Sequence, residues 1–263
     1  MFDLTNTSPS GSVCIVGAGP GAGDLITVRG LRALERADVV VHDELAGTEL
    51  LGHCRPGCEF HFVGKRGGGH GTPQSEINGL LVEHARRGRR VVRLKGGDPG
   101  VFGRLNEELD ELRAHGIPFE IVPGVTSACA AAAAAGISLT DRALASAVIF
   151  VTGHECAKSD ADRIDWPALA RSGQTLCVYM GVRRLPVVAE GLQAGGLPAS
   201  TPVKIVANAS RPDQRILEGT LADAFAFSDE IEGQPALILI GAAVAAIPEG
   251  AIAGMARDAR ALP

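Results

Sequence analysis

Short apolar runs, each closed by glycine or polar residues, recur along the first half of the chain. Residues 12–16 run into GAGPGAGD, 38–41 into His42, Asp43 and Glu44, and 59–63 into GKRGGGHG. Residues 90–94 run into KGGDPG and 119–122 into PGVTS. Runs of this length, β-branched and aromatic and bounded by glycine and proline, predict strands. Between them, apolar residues recur at helical spacing. Val28, Leu31 and Leu34 share a face within 27–37. Ile77, Leu80 and Leu81, with His84 or Ala85, do so within 75–87. Leu105, Leu109 and Leu112 do so within 104–115, where Gly116 and Pro118 act as stop signals. Strand alternating with helix predicts the α/β class with a mainly parallel sheet.

The pattern restarts in the second half. Residues 147–151 lead into TGH, 175–179 into MGV, 203–206 into ANAS and 236–240 into GAA. An alanine-rich stretch at 128–139 lies between the halves. It is weakly apolar and interrupted by Gly136, which predicts a packed helix rather than a membrane span. The expected organisation is a loose tail at 1–11, a first α/β domain at 12–136 and a second at 137–263.

Composition narrows the function. Hydrophobic residues at 46% and charged residues at 21% exclude a disordered chain. The net charge of −5 argues against a chain-wide nucleic-acid surface while allowing a local basic pocket. Trp166, Tyr179 and eight phenylalanines are too few for a base-stacking platform. Thirty-four glycines predict tight loops and close backbone approaches. Six scattered cysteines and an opening without a leader pattern predict reduced thiols and a cytoplasmic protein.

Ligands of open α/β sheets bind beyond the carboxyl ends of the strands. There the first-half loops offer Gly17–Gly21, Asp43, Lys65, Gly96–Asp98 and Pro123–Ser127. GAGPGAG nearly matches a dinucleotide fingerprint, with Gly17, Gly19 and Ala22 in G-x-G-x-x-A and Asp43 at the end of the next strand. Nicotinamide or flavin binding and a purely structural turn both fit it. In KGGDPGVFGR, Asp98 can accept hydrogen bonds from a ligand or cap a helix before Pro99. PGVTSACAAAAAAG suits a helix capped by Thr126 or Ser127, set for a ligand or for close packing. HCRPGCEFH gathers the donor types His53, Cys54, Cys58 and His61, but C-x₃-C without a second pair reads better as a surface turn than as zinc.

Taken together and in order, these motifs are recognisable. SVCIVGAGPGAGDLITVRGLRALERADVVVHDEL, FVGKRGGGHGTPQSEIN, VVRLKGGDPGVFGR, PGVTSACAAAAAAGISLTDR, VTGH, TLCVYMG, TPVKIVANASRPDQRILEGTL and PALILIG resemble the tetrapyrrole methylases. Within them the chain is most similar to the uroporphyrinogen-III C-methyltransferase branch, over residues 12–245. The resemblance implies two α/β domains with a ligand cleft between them, and a homodimer. It implies S-adenosylmethionine as methyl donor, with S-adenosylhomocysteine as product and no metal. It implies methylation of uroporphyrinogen III at C2 and C7, giving precorrin-2 for sirohaem or cobalamin. No nucleic-acid or membrane partner is implied. No dehydrogenase or chelatase segment accompanies the motifs, so the reaction is expected to stop there.

Cofactor positions carry over onto Pro20, Gly96, Gly97, Asp98, Val101, Thr126, Ser127, Met180 and Ala209. Asp43 matches the proton acceptor and Lys65 the proton donor. On this resemblance the first glycine loop is not a pyrophosphate cradle. A substrate rich in carboxylates needs basic partners, and Arg66, Arg104, Arg142 and Arg211 are candidates beside Lys65. The chain departs from the family pattern at His42, where a tyrosine is usual, and at Ser138 and Asp141, where proline and histidine are usual. The alternatives are a sister methylase acting on a later precorrin, a nicotinamide-dependent oxidoreductase using GAGPGA and Asp43, and a non-enzymatic tetrapyrrole binder.

Overall fold

The computed structural model describes residues 10–64, 71–153, 164–231 and 233–245. Most of the expected tail, Lys65 and Arg66 therefore lie outside the described residues. The first half contains β1 (Ser12–Gly17), α1 (Val28–Arg36), β2 (Val39–His42), β3 (Glu59–Phe62), α2 (Gln74–Arg86), β4 (Arg90–Lys95), α3 (Leu105–Ala114), β5 (Phe119–Val122) and α4 (Ser127–Ala134). The second contains β6 (Val148–Thr152), α5 (Trp166–Arg171), β7 (Thr175–Tyr179), α6 (Leu185–Ala194), β8 (Pro202–Ala207), β9 (Arg215–Thr220), α7 (Ala224–Glu230) and β10 (Ala236–Ile240).

Contacts divide the chain into two units. One is Met1–Ala130 with Asn208–Gln214, and the other is Ala131–Ala207 with Arg215–Pro263. The division falls inside α4 rather than after Gly136, and a short segment of the second half packs with the first unit.

The first unit is built on a parallel sheet in the order β3-β2-β4-β1-β5. Helices cover both faces of such a sheet, so its strands must be apolar on both sides. Val13, Ile15, Val39, Val41 and Val91 meet Ile77, Leu81 and Ala85 of α2 and Leu109 and Leu112 of α3. The alternate residues Cys14, Val16, Val40, Val92 and Leu94 pack with Leu34 of α1 and with Leu50. The inner face of α1 differs from the expected one. Val28 is 64% exposed, and Gly30 and Leu34 are the buried pair. Thr27 sets this phase by capping the helix, its hydroxyl accepting from Gly30 N at 3.2 Å. Gly30 sits where a Cβ would lie 2.8 Å from Val16 Cγ1, so its missing side chain lets α1 approach the sheet.

The second unit departs from the parallel expectation. Its sheet order is β6-β7-β10-β8-β9, and only β6 and β7 run parallel. β10 is antiparallel to β7 and β8, and β9 is antiparallel to β8. The connection from β8 to β9 is Asn208–Gln214, shorter than the dozen or so residues that a parallel crossover needs. The core of this unit packs Leu176, Val178, Val203, Ile205, Ile238 and Ile240 against Trp166, Leu185, Val188, Leu192 and Phe227. Among the described residues no helix is long and apolar enough to cross a membrane.

Candidate active site

At the carboxyl edge of the parallel sheet, three neighbouring loops lock together through glycine. Gly97 N donates to Gly19 O at 2.6 Å, and Gly19 N donates back to Gly97 O at 3.3 Å. Ala18 N donates to Lys95 O at 2.7 Å. A Cβ on Gly17 would lie 2.6 Å from Gly124 Cα and 2.7 Å from Gly97 O. These positions must be glycine because backbone packs on backbone there. Asp98 ties the same loops together. Its Oδ1 accepts from Gly100 N at 2.8 Å and its Oδ2 from Gly124 N at 2.9 Å. It is not a helix cap, since α3 begins only at Leu105, after Phe102 and Arg104 have taken left-handed backbone.

This geometry removes the pyrophosphate reading of GAGPGAG. A dinucleotide cradle needs free amides opening directly into a helix. Here the Ala18 and Gly19 amides are spent inside the fold, and α1 starts only at Val28. The loop instead meets the segment Asn208–Gln214. Ala22 N donates to Ser210 Oγ at 3.0 Å, and a Cβ on Gly21 would lie 2.9 Å from Ala209 O. Pro20 and Ala209, predicted from distant parts of the sequence, thus sit in adjoining loops. Gly96 lies against Leu45, where a Cβ would come within 2.6 Å of the Leu45 Cβ. Val101 N donates to Asp98 O at 3.2 Å, and Thr126 O accepts from Cys129 N at 3.1 Å at the start of α4. Ser127 Oγ is 3.7 Å from the position of a Cβ on Gly97.

Beneath these loops lies a buried ionic network absent from the sequence expectations. Glu108, fully buried on α3, accepts from Arg93 Nε at 3.0 Å and from Lys95 Nζ at 2.8 Å. Arg93 also donates to Leu94 O at 3.0 Å, to Val41 O at 3.3 Å and to Asp43 Oδ2 at 3.2 Å. Burial pushes the Lys95 ammonium below its ordinary range, and the neighbouring Arg93 charge adds to the effect. Asp43 Oδ1 is buried and has no hydrogen-bond partner among the described residues. The carboxylate is therefore gripped through one oxygen and left unpaired at the other. A signal for this network was present. Arg93 and Lys95 alternate on one face of a strand whose other interior residues are Val91, Val92 and Leu94, and Glu108 shares the helix face of Leu109 and Leu112.

Backbone strain marks two of these loops and one position of the second unit. Among the described residues, the non-glycine positions with positive φ are Phe102, Arg104, Met180, Asn208 and Ser210. Each costs about 1–3 kcal/mol and persists where surrounding structure enforces it, a pattern common at ligand sites. Met180, a predicted cofactor residue, belongs to the second unit and is 56% exposed.

The basic candidates diverge. Arg104 forms a two-pronged pair with Glu107 at 2.7 and 2.6 Å on the surface. Arg211 packs on Gly21 and donates to Leu45 O at 3.3 Å, which places it in the loop cluster. Arg142 is exposed in the second unit. Its neighbour Asp141 has a local role, accepting from Ala143 N at 2.8 Å and Leu144 N at 3.0 Å to cap a turn. His42 is buried edge-on against Phe62, and burial pushes its imidazole below its ordinary range. The four donors His53, Cys54, Cys58 and His61 do not assemble. Cys54 and Cys58 interact with each other beside an apolar cluster, while His61 joins Glu59 and His84. Burial pushes the Cys54 thiol up to about 12, the opposite of a metal-ligating thiolate.

Residues 12–224 match the sequence profile of the Tetrapyrrole (Corrin/Porphyrin) Methylases. The chain is 49% identical over 234 residues to a siroheme synthase of Neisseria meningitidis serogroup B, covering 89% of this chain and 48% of that protein. A siroheme synthase 1 of Yersinia enterocolitica is 48% identical, with 89% and 49% covered. The chain thus spans about half the length of the curated relatives it matches. Among solved structures, a uroporphyrin-III C-methyl transferase of Thermus thermophilus complexed with S-adenyl homocysteine is 39% identical. It superimposes with a TM-score of 0.74, covering 89% of this chain and 98% of that one. A cobalt precorrin-4 methyltransferase is 32% identical with a TM-score of 0.80, covering 92% and 100%.

Proposed function

The chain belongs to the tetrapyrrole (corrin/porphyrin) methylases, and on that premise we propose that it is a methyltransferase that methylates uroporphyrinogen III on carbon, at C2 and C7, to give precorrin-2. S-adenosylmethionine would supply an electrophilic methyl group. The observation that carries the reading is the Asp43 carboxylate, fixed through Oδ2 by Arg93 and unpaired at Oδ1, at the edge where the glycine loops converge. The loop residues Pro20, Gly96, Gly97, Asp98, Val101, Thr126, Ser127 and Ala209, with Met180, would hold the methyl donor. Asp98 does so mainly by fixing the shape of the loops, since both its oxygens already accept backbone amides.

The chemistry asked of the protein is modest. An electron-rich reduced pyrrole attacks the methyl through carbon; the new carbon–carbon bond forms as the sulfur–methyl bond breaks. The enzyme aligns the reactants and manages the proton that the macrocycle then sheds. Asp43 Oδ1 is the acceptor for that proton, and Arg93 is a positioning residue that keeps the carboxylate aimed. Lys65 serves as proton donor, and Arg211 with Arg66, Arg104 and Arg142 supplies positive charge for the substrate's carboxylates. The family resemblance extends to a cytoplasmic homodimer whose product feeds sirohaem or cobalamin synthesis.

The substrate choice rests on identity. The uroporphyrin enzyme is closer in sequence at 39% than the cobalt-precorrin-4 enzyme at 32%, although the latter's backbone superimposes better. Shared backbone reports the fold, whereas side chains select the substrate. Anaerobic mass spectrometry of product, after mixing the protein with S-adenosylmethionine and uroporphyrinogen III, tests the proposal. Two added methyl groups are expected. No addition, with the methyl donor still bound in a calorimetric titration, would move the assignment to a later precorrin. Tight NAD binding without binding of the methyl donor would overturn it in favour of an oxidoreductase.

A further inference from the structure

We propose that Glu59, His61 and His84 form a binding site for a single divalent transition-metal ion of the zinc type, at the corner where edge strand β3 meets helix α2. This site is separate from the methyl-transfer residues and does not depend on their assignment. One ligand atom from each residue lies within 4.8 Å of the other two. Glu59 and His61 are two apart on a strand, so their side chains leave the same face. That face is the one α2 covers, because Glu59 and His61 pair in register with Val39 and Val41, whose side chains pack under α2. The core pattern predicts apolar residues there, and the edge strand carries a carboxylate and an imidazole instead.

The partners are arranged as ligands. His61 Nε2 is 2.8 Å from Glu59 Oε1, and His84 Nε2 is 4.0 Å from the same oxygen. The two imidazole rings are 4.8 Å apart between centroids. Zinc bonds of roughly 2.0–2.2 Å would close this spread by small side-chain rotations. His84 comes from between Leu81 and Ala85 with its side chain only 4% exposed. Its Nδ1 is buried with no hydrogen-bond partner among the described residues. His84 Nε2, beside a second imidazole and a carboxylate, completes a donor set that a cation satisfies.

Arg89 pairs with Glu59 Oε2, leaving Oε1 to face the histidines. The positive Arg89 also limits the affinity, so the expected binding is moderate rather than that of a closed four-ligand site. Two histidines and one carboxylate on a half-exposed edge leave the fourth position to water. Such an ion would clamp the edge strand to the helix.

Zinc chloride titrated calorimetrically into the metal-free, untagged full chain tests the site. One ion per chain is expected. His61→Gln and His84→Asn should each weaken binding by at least the roughly tenfold that even an outer-sphere partner is worth. The double variant Cys54→Ser, Cys58→Ser should bind as the parent does. Because His84 is buried, His61→Gln is the decisive variant, with circular dichroism confirming its fold. Zinc at about a hundredfold above its Kd should raise the parent's melting midpoint by about 5 °C and leave that of His61→Gln unchanged. Absence of binding to the parent, undiminished binding by His61→Gln, or loss of binding in the cysteine variant would overturn the proposal.

Discussion

The two sheets of this protein are of equal strand number and carry unequal shares of the predicted site. In the first unit every strand points the same way, so the loops after β1, β4 and β5 emerge side by side and interlock through Gly17, Gly19, Gly97 and Gly124. In the second unit β10 is antiparallel to its neighbours, and loops leave from both edges. Its contribution to the predicted site is Met180 and Arg142, and Ala209 lies in a segment that packs with the first unit. Parallel topology concentrates backbone groups at one edge without any help from particular side chains. Mixed topology has to deliver individual residues, and strained backbone marks where it does so.

The ionic pairs sharpen the contrast most. Glu108→Gln in the first unit would leave Lys95 buried without its counter-charge and Arg93 with Asp43 alone. A loss of about 3–5 kcal/mol in denaturant unfolding is expected. In the second unit Arg215 pairs with Glu230, both about half exposed. Glu230→Gln should cost below about 1 kcal/mol. Equal effects would mean that the network under the first sheet is no more than a surface feature.

Glycine gives the next largest effect. Gly17→Ala drives a methyl into backbone and should cost about 1–3 kcal/mol while loosening the loop cluster. Gly79→Ala, inside α2 with nothing within 4 Å, should instead stabilise by about 0.5–1 kcal/mol. Thermal melting of the two variants checks the opposite signs.

Asp38 supplies a pH test. Its side chain bonds Arg90, which holds the carboxyl below its ordinary 3.8, and it also pairs with Arg55. A depressed carboxyl contributes stability above its unfolded value and loses it as pH falls through the folded one. Asp38→Asn should therefore cost roughly 1–2 kcal/mol at neutral pH. The gap from the parent should close as the pH drops below about 4. A gap that stayed constant would remove the ion pairing.

The smallest effect belongs to the strained second-unit loop. Met180→Gly relieves about 1–2 kcal/mol of left-handed strain against an entropy cost of about 0.4–1 kcal/mol. Stability should rise by less than about 1 kcal/mol, while affinity for S-adenosylhomocysteine falls. Unchanged affinity would take Met180 out of the site.

The first sheet was legible because alternation and glycine punctuation act locally, and a parallel strand is apolar along its whole length. β9 was missed because RILEGT sits at a sheet edge, half exposed and broken by Gly219, so no apolar run announces it. Strand direction in the second unit was hidden for a different reason. Apolar runs record burial, whereas direction is set by connection length. Asp43 and the glycine loops were visible as motifs, yet the role of Asp98 was not, because its partner Gly124 lies far along the chain. The Arg93, Lys95 and Glu108 network was legible only in retrospect, as charges out of place in apolar patterns.

The most direct test is a single-turnover comparison of the parent and Asp43→Asn with S-adenosylmethionine and uroporphyrinogen III, followed anaerobically by mass. The parent should add two methyl groups. The variant, folded and still binding S-adenosylhomocysteine, should be slower by a factor of about 10²–10⁴. Methylation by the variant at the parental rate would contradict the assignment of Asp43 as the proton acceptor, and with it the claim that the first unit's edge carries the chemistry.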